Sequence, residues 1–327
     1  MKSKRLLSSI IAACLLCLFV SAILSGCGSQ PRSEGISVVC TIFPEYDWVR
    51  EISSGIEDGP ELTLLLDSGT DLHSYQPTAD DIIKISTCDI FIYVGGESDA
   101  WANDALRQAR NKNMTVIKLL ELLGDRAHDE ELKEGMQSGE EDGEEETEKD
   151  EHVWLSLKNA AFLCREIAEA LAKADPSHAE EYKSNAGSYI EKLERLDGEY
   201  TAAVSQAARR TLLFADRFPF RYLTEDYGLD YYAAFSGCSA ESEASFETVT
   251  FLARKADELA LPAIIKLESS DGKIAQTVVQ SAANENLKIL TMDSMQSAGI
   301  GEVRSGVTYL SVMENNLAVL KEALDAK

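Results

Sequence analysis

The stretch YKSNAGSYIEKLERLDGEYTAAVSQA, residues 182–207, decides how this chain is organised. Its apolar side chains recur at steps of three and four, which predicts one continuous amphipathic helix. At roughly 1.5 Å per residue, such a helix is about 38 Å long. A helix of this length can bridge two domains, although an ordinary surface helix has the same periodicity. The recurring positions are Tyr182, Ala186, Tyr189, Leu193, Leu196, Tyr200, Ala203 and Ala207.

Short apolar strand patterns alternate with helical patterns on both sides of this stretch. The predicted strands are 36–43, 62–66, 90–94 and 115–119 before it, and 211–215, 231–234, 263–267 and 288–291 after it. The predicted helices between the first strands are 46–53, 79–86 and 100–109. This alternation is typical of parallel sheets with helices on both faces. We therefore expect an α/β fold with two (β/α) lobes, at 36–178 and 210–327, joined by a rigid linking helix at 179–209.

The first 26 residues form a segment that we do not expect to belong to the fold. A basic start precedes an apolar run from Leu6 to Leu24, and Leu24-Ser25-Gly26-Cys27 closes it. This is the layout of a signal peptide. Its end resembles the lipobox of bacterial lipoproteins, which implies lipidation of Cys27 and a tether at 27–35. A transmembrane anchor is the alternative, because about 19 apolar residues nearly span a bilayer. Both interpretations place the rest of the chain outside the cytoplasm.

The charge of the chain excludes one class of partner. Its formal net charge is −25, and removal of residues 1–26 takes away three bases and no acids. Because phosphate binding requires basic surface, we do not expect a nucleic-acid partner.

Four cysteines lie within the predicted lobes, and no spacing among them resembles a zinc knuckle. Cys164 lies on an apolar helical face and is interpreted as a core residue. The other three could be buried thiols or could form a disulfide. They are Cys40, Cys88 and Cys238.

The segment 125–151 differs in composition from the rest of the chain, with 14 acidic and 3 basic residues and almost no apolar ones. Such a segment cannot bury enough apolar surface to fold, which predicts a mobile loop. It could be a solvated linker. It could equally collect cations weakly beside a metal site, because clustered carboxylates attract divalent ions.

The chain has only four histidines, and two of them lie in informative places. His73 follows the second predicted strand, and His152 lies where the acidic segment gives way to a helix. Connections at the ends of strands are where α/β sheets bind ligands. A single histidine is nevertheless more often incidental than a ligand. His178, at a helix start, is interpreted as a surface residue.

Four landmarks are similar to the zinc- and manganese-binding solute receptors of ABC importers, in their order and spacing. They are Thr41-Ile42-Phe43-Pro44, His73-Ser74-Tyr75 with Pro77, His152-Val153-Trp154-Leu155, and Tyr309 with Asn315-Asn316-Leu317. The resemblance covers nearly the whole mature chain and includes the lipobox, the long helix and the acidic segment before the second histidine. It implies two (β/α) lobes joined by a rigid helix, with a metal held in the cleft between them.

The resemblance also implies a set of metal ligands. Its first two ligand positions fall on His73 and His152, both in the N-terminal lobe, and a carboxylate position falls on Glu268 at the end of a strand. At the remaining position, where the family places His or Glu, an ungapped count reaches Arg217. A guanidinium has no lone pair for a cation. A shift of one residue brings Asp216 there, whose carboxylate could coordinate a metal or, alternatively, cap a helix.

The implied protein captures Zn²⁺ outside the cell and delivers it to the permease of an ABC importer, as a lipid-anchored monomer. Two imidazoles and two carboxylates suit zinc, and Mn²⁺ is the alternative metal. No cysteine is expected among the ligands, and Arg217 would act, if at all, by pairing with Asp216 or Glu268. An extracellular metalloenzyme is a different hypothesis, but no His-Glu-x-x-His motif occurs. An adhesion lipoprotein has no motif of its own in this sequence.

Overall fold

The computed structural model describes residues 35–67, 69–137, 148–239 and 243–326. The predicted signal peptide 1–26, the lipidation site Cys27 and nearly all of the tether 27–35 lie outside the described residues. Within the described ranges, no helix is long and apolar enough to cross a membrane.

The first sheet is built from four parallel strands, all of which the sequence predicts. They are β1 (Ser37–Cys40), β2 (Glu61–Leu64), β3 (Ile90–Tyr93) and β4 (Thr115–Lys118), in the order β2-β1-β3-β4. Val38, Val39 and Cys40 are all buried, so both faces of the central strand are covered. Continuous burial of this kind is expected when helices pack on both sides of a parallel sheet.

The second sheet repeats the order of the first. Its strands are β5 (Thr211–Phe218), β6 (Asp230–Ser236), β7 (Ala263–Leu267) and β8 (Lys288–Met292), all parallel, in the order β6-β5-β7-β8. Along β5, Leu212 and Phe214 belong to one apolar core, whereas Leu213 and Ala215 belong to another on the opposite face. The pairing with β6 shifts between Phe214 and Arg217, which marks a β-bulge.

Eleven α-helices connect and cover the sheets in the described part of the chain. They are α1 (Phe43–Ile52), α2 (Ala79–Thr87), α3 (Ala102–Arg107), α4 (Leu119–Leu123), α5 (Leu157–Ala174), α6 (Ala179–Ser205), α7 (Arg221–Tyr227), α8 (Phe246–Glu258), α9 (Lys273–Ser281), α10 (Ile300–Arg304) and α11 (Tyr309–Ala323). The long helix α6 has 27 residues and links the two sheets along the chain. It packs against α5 and α1 from the N-terminal half and against α11 from the C-terminal end.

Buried hydrogen bonds join the two halves near the connection that carries His152. The indole of Trp154 donates to the backbone oxygen of Ser294 at 2.8 Å, and the hydroxyl of Tyr309 donates to the backbone oxygen of Trp154 at 2.6 Å. The backbone N–H of Tyr309 donates in turn to Asp47 at 2.8 Å. Because Trp154 and Tyr309 are fully buried, this chain of bonds holds the two lobes in register at the site described next.

The two described ends of the acidic segment 125–151 contact the C-terminal lobe, the second end through the backbone oxygen of Asp150, which accepts the hydroxyl of Tyr222 at 2.8 Å. Lys133 forms an ion pair with Asp230 at 2.6 Å, and the backbone N–H of Gln137 donates to Ala234 at 2.9 Å. These contacts attach the described ends of the segment to the fold. The prediction of a mobile loop therefore concerns residues 138–147, which lie outside the described residues.

Candidate metal centre

His73 lies in a short 3₁₀ helix, Leu72–Ser74, in the connection after β2. The carboxylate of Asp71 accepts the backbone N–H of His73 at 3.0 Å and so caps this turn. The ring Nδ1 lies 2.7 Å from the hydroxyl of Ser98 and 3.7 Å from the carboxylate of Glu151. Because Nδ1 is engaged in this way, Nε2 is the ring nitrogen that His73 presents to the cleft.

His152 is completely buried, immediately before the 3₁₀ turn Val153–Leu155 that leads into α5. One carboxylate oxygen of Asp150 lies 2.9 Å from the ring Nδ1 and also accepts the backbone N–H of His152 at 2.9 Å. A carboxylate on one ring nitrogen fixes the ring orientation and increases the basicity of the other nitrogen, as in many metal sites. The arrangement leaves Nε2 of His152 to act as a ligand.

The two imidazoles face each other across the site. Their Nε2 atoms are 3.2 Å apart, and their ring centroids are 5.3 Å apart. The sulfur of Cys238, in the connection after β6, joins them: Sγ and one nitrogen of each ring all lie within 4.8 Å of one another. This is the group of metal-ligating side chains that the described residues bring together.

The side-chain amide of Gln296 occupies the space between the two imidazoles. Its nitrogen lies 3.1 Å from Nε2 of His73 and contacts Nε2 of His152. An amide N–H that points at a ring nitrogen uses the lone pair that a metal would need. The amide of Gln296 thus lies where a metal shared by the two imidazoles would bind.

Glu268 lies just after β7, and its carboxylate is engaged with Ser294. One oxygen accepts the backbone N–H of Ser294 and the other accepts its hydroxyl, both at 2.9 Å. Burial, together with nearby Asp293, raises the pKa of Glu268 to about 7. The predicted ligand Glu268 is thus separated from the imidazoles by Ser294 and by Gln296, whose Oε1 lies 3.3 Å from the Ser294 hydroxyl.

Asp216 is buried at the bulge in β5, and both of its carboxylate oxygens bind backbone. One accepts the N–H of Arg217 at 2.9 Å, and the other accepts the N–H of Leu267 at 3.1 Å. This placement gives Asp216 a role in joining β5 to β7. The carboxylate of Asp216 is not in the group of donor atoms that lie within 4.8 Å of one another at the imidazoles, and its role as a ligand stays a prediction.

The guanidinium of Arg217 pairs with neither Asp216 nor Glu268, the two partners that the sequence analysis suggested. Its guanidinium forms an ion pair with Asp71 across the cleft, at 2.6 Å. Because Asp71 also caps the turn that carries His73, Arg217 can influence the metal site through that turn.

The ring of His73 is kept neutral, which is the protonation state in which an imidazole can bind a metal. Burial, and then the neighbouring ring of His152, lowers its pKa, which keeps the imidazole neutral at pH 7. The pKa of the Cys238 thiol is shifted in the opposite direction. Burial raises its pKa well above the usual value, and the carboxylates of Glu130, Glu151 and Asp150 add to the shift.

The sequence analysis singled out the two histidines. It did not identify the side chains that contact their rings, or the nearby Cys238. Cys238 is a free thiol, as are Cys40, Cys88 and Cys164. The available signal was its position two residues after the end of β6, directly after Gly237, at the edge of the sheet where α/β proteins bind ligands. Ser98, Asp150 and Gln296 carried no comparable signal.

Two parallel α/β sheets linked by a long helix, with facing imidazoles in the connections between elements, define a two-lobed solute-binding protein of the metal-receptor class. The family of ZnuA, the periplasmic zinc-uptake complex component A, matches residues 38–323. The chain belongs to this family.

Several characterised proteins and one solved domain are similar to the chain over most of its length. The zinc-binding lipoprotein AdcA of Streptococcus pneumoniae serotype 4 is 30% identical over 322 residues, which cover 97% of this chain and 61% of that protein. The high-affinity zinc uptake system protein ZnuA of Bacillus subtilis (strain 168) is 27% identical, with 97% of each chain covered. The crystal structure of the Zn(II)-bound ZnuA-like domain of Streptococcus pneumoniae AdcA superposes with a TM-score of 0.69 at 28% identity, over 89% of this chain and 99% of that domain. The chain spans about three fifths of the length of its AdcA relatives, 58% and 61% in two of them.

Proposed function

We propose that this protein is an extracytoplasmic zinc receptor, which captures Zn²⁺ in the cleft and delivers it to the permease of an ABC importer. The observation that carries the proposal is the pair of imidazoles whose Nε2 atoms face each other at 3.2 Å. Each ring is held through its other nitrogen, by Ser98 or by Asp150. Membership in a family of zinc-uptake components favours this function over an extracellular metalloenzyme.

In this proposal His73 and His152 bind the ion directly, as neutral imidazoles. Imidazole nitrogen is a common ligand of zinc and also binds other transition metals, so Mn²⁺ is kept as the alternative cargo. Glu268 is the carboxylate ligand of the proposal, and its two hydrogen bonds from Ser294 would orient the carboxylate. The carboxylate of Asp216 accepts two backbone N–H groups, from Arg217 and Leu267.

The location and partner of the protein belong to the same proposal. Residues 1–26 would be removed, Cys27 would carry the lipid, and 27–35 would tether a monomer with lobes at 36–178 and 210–327 to the membrane. Support comes from the name of the Streptococcus pneumoniae relative, a zinc-binding lipoprotein. The acidic segment 125–151 would then lie beside the cleft and could gather cations weakly.

Competition against a chelating dye tests the proposal, with His152→Ala compared with a matched histidine variant. We expect the metal-free protein to take up one zinc ion tightly, because the two imidazoles already face each other through their Nε2 atoms. Loss of the His152 ring should weaken binding by at least tenfold, or about 1.4 kcal/mol.

The control is His178→Ala, because His178 lies outside the site and pairs with Asp175. It should bind zinc as tightly as the unaltered protein. Equal affinity in all three proteins, or no tight binding in the unaltered one, would overturn the proposal.

A further inference from the structure

A sulfur atom lies beside the two imidazoles, in the connection after β6. The Cys238 sulfur and one nitrogen each of His73 and His152 lie within 4.8 Å of one another. In tetrahedral zinc sites, bond lengths of about 2.0 Å to nitrogen and about 2.3 Å to sulfur place ligand atoms about 3.3 to 3.6 Å apart. The Nε2 atoms of the two rings are already 3.2 Å apart, so the sulfur has to approach by at most about 1.5 Å for the three residues to share one ion.

The backbone that carries Cys238 is fixed against His152. A side chain at Gly237 would meet the His152 ring and the backbone oxygen of Phe218, each at 2.9 Å from its Cβ, so only glycine fits this close approach. The next residue is anchored in turn, because the backbone N–H of Cys238 donates to the carboxylate of Glu130 at 2.8 Å. These contacts bring the thiol to the imidazoles in a defined position.

The other two residues considered for this ligand position contact other groups in the structure. Arg217 offers no lone pair, and it is held by Asp71. Both oxygens of Asp216 accept backbone N–H groups. Among the histidine, cysteine and carboxylate side chains in the described part of the second lobe, Cys238 is thus the one whose donor atom lies beside the imidazoles.

We propose that Cys238 is a direct ligand of the zinc ion, in the place that the sequence analysis gave to Asp216. The proposal rests on the proposed function of zinc capture and adds a residue that sets its specificity. Cysteine binds zinc as a thiolate, so its proton passes to solvent when the metal enters. Thiolate suits zinc, whereas manganese prefers carboxylate, carbonyl and water ligands. The Cys238 sulfur therefore favours Zn²⁺ over Mn²⁺ in this site.

X-ray absorption at the zinc edge tests the proposal directly on the unaltered protein loaded with one equivalent of zinc. We expect one sulfur neighbour at about 2.3 Å, in addition to nitrogen or oxygen neighbours at about 2.0 to 2.2 Å. This measurement does not depend on whether any variant folds. Tightly bound zinc with nitrogen and oxygen neighbours alone would overturn the role of Cys238 and leave the zinc receptor intact. Failure to bind zinc tightly would overturn both.

Cys238→Ser and Cys88→Ser form the matched pair. Serine at position 238 should remove the sulfur neighbour, lower zinc affinity by at least tenfold and reduce the preference for zinc over manganese. Cys88 is buried away from the site, and its thiol donates to the backbone oxygen of Ile85 at 3.2 Å, a bond that serine can also make. Cys88→Ser should keep both the sulfur neighbour and the affinity. An unchanged sulfur neighbour in Cys238→Ser would contradict the proposal.

Discussion

His73 depends on side chains that lie far from it in the sequence. Ser98 holds its Nδ1, and Asp71, which caps its turn, is itself held by Arg217 from the other lobe. Arg217 and Asp71 are 146 positions apart. A guanidinium that cannot bind a cation can therefore still support the metal site, because it keeps the turn of His73 in place.

Arg217→Ala and Asp216→Ala should have different effects. Loss of the Arg217 guanidinium releases Asp71, and removal of such a support typically weakens metal binding by roughly 10 to 100-fold. Loss of the Asp216 carboxylate leaves the buried N–H of Leu267 without its partner, which should cost about 1 to 3 kcal/mol of folding stability. Zinc titration and urea unfolding of both variants check this.

Neither variant should change the set of atoms bound to zinc, as measured by X-ray absorption. A lost oxygen neighbour in Asp216→Ala would contradict our account and restore Asp216 as a ligand.

At the candidate site, the structure brings together two histidines that the sequence singled out by their rarity and their positions. Four histidines in 327 residues made His73 and His152 stand out at the ends of elements. Cys238 was missed because its proximity to His152 arises from the packing of two lobes, and no spacing within the sequence encodes it. The sequence did not decide between Arg217 and Asp216 for the remaining ligand position. Strand β5 has a bulge between Phe214 and Arg217, and a bulge adds one residue that interrupts the alternating pattern of the strand.

At the level of elements, all eight strands of the described residues were predicted, because each is a short run with apolar residues between helical patterns. Their ends moved by up to three residues, since backbone pairing with the neighbouring strand decides where a strand stops. The long helix was predicted at 182–207 and found at Ala179–Ser205. Its periodicity was unambiguous because nine of its side chains, including Tyr182 and Tyr200, are buried on one face.

Helix α1 begins at a buried carboxylate that should make stability depend on pH. One oxygen of Glu45 accepts the backbone N–H groups of Thr41 and Ile42, at 2.9 and 3.3 Å. The other has no hydrogen-bond partner among the described residues. Burial, and then nearby Asp99, raises the pKa of Glu45 from 4.5 to about 8. The folded protein thus keeps a proton that the unfolded chain loses above about pH 4.5.

This contribution of Glu45 to stability is present in full below about pH 4.5 and is lost as the pH rises toward 8. The slope should be at most about 1.4 kcal/mol per pH unit. Glu45→Gln should therefore flatten the fall in unfolding free energy between pH 5 and 8, measured by urea denaturation in the presence of a chelator. Glu51→Gln, on the same helix but partly exposed, is the control and should follow the unaltered protein. An equally steep fall in Glu45→Gln would contradict the assignment.

At the scale of the whole molecule, two sheets of the same strand order are closed onto each other by buried contacts near the cleft. Trp154 binds Ser294, and Tyr309 binds both Trp154 and Asp47. Asn316, from the same landmark as Tyr309, holds Asp293 through two hydrogen bonds of 2.9 and 2.8 Å. These contacts fix the loop that places Gln296 between the imidazoles, so capture of a metal should be coupled to the packing of both lobes.

Thermal unfolding of the metal-free protein, with and without zinc, tests the central claim most directly. Zinc that binds only the folded chain, at about a hundredfold over its Kd, should add about 2.7 kcal/mol of stability. We predict that the melting temperature rises on addition of zinc and returns to its starting value with a chelator. A melting temperature that does not move in a verified metal-free preparation would contradict the zinc-receptor function.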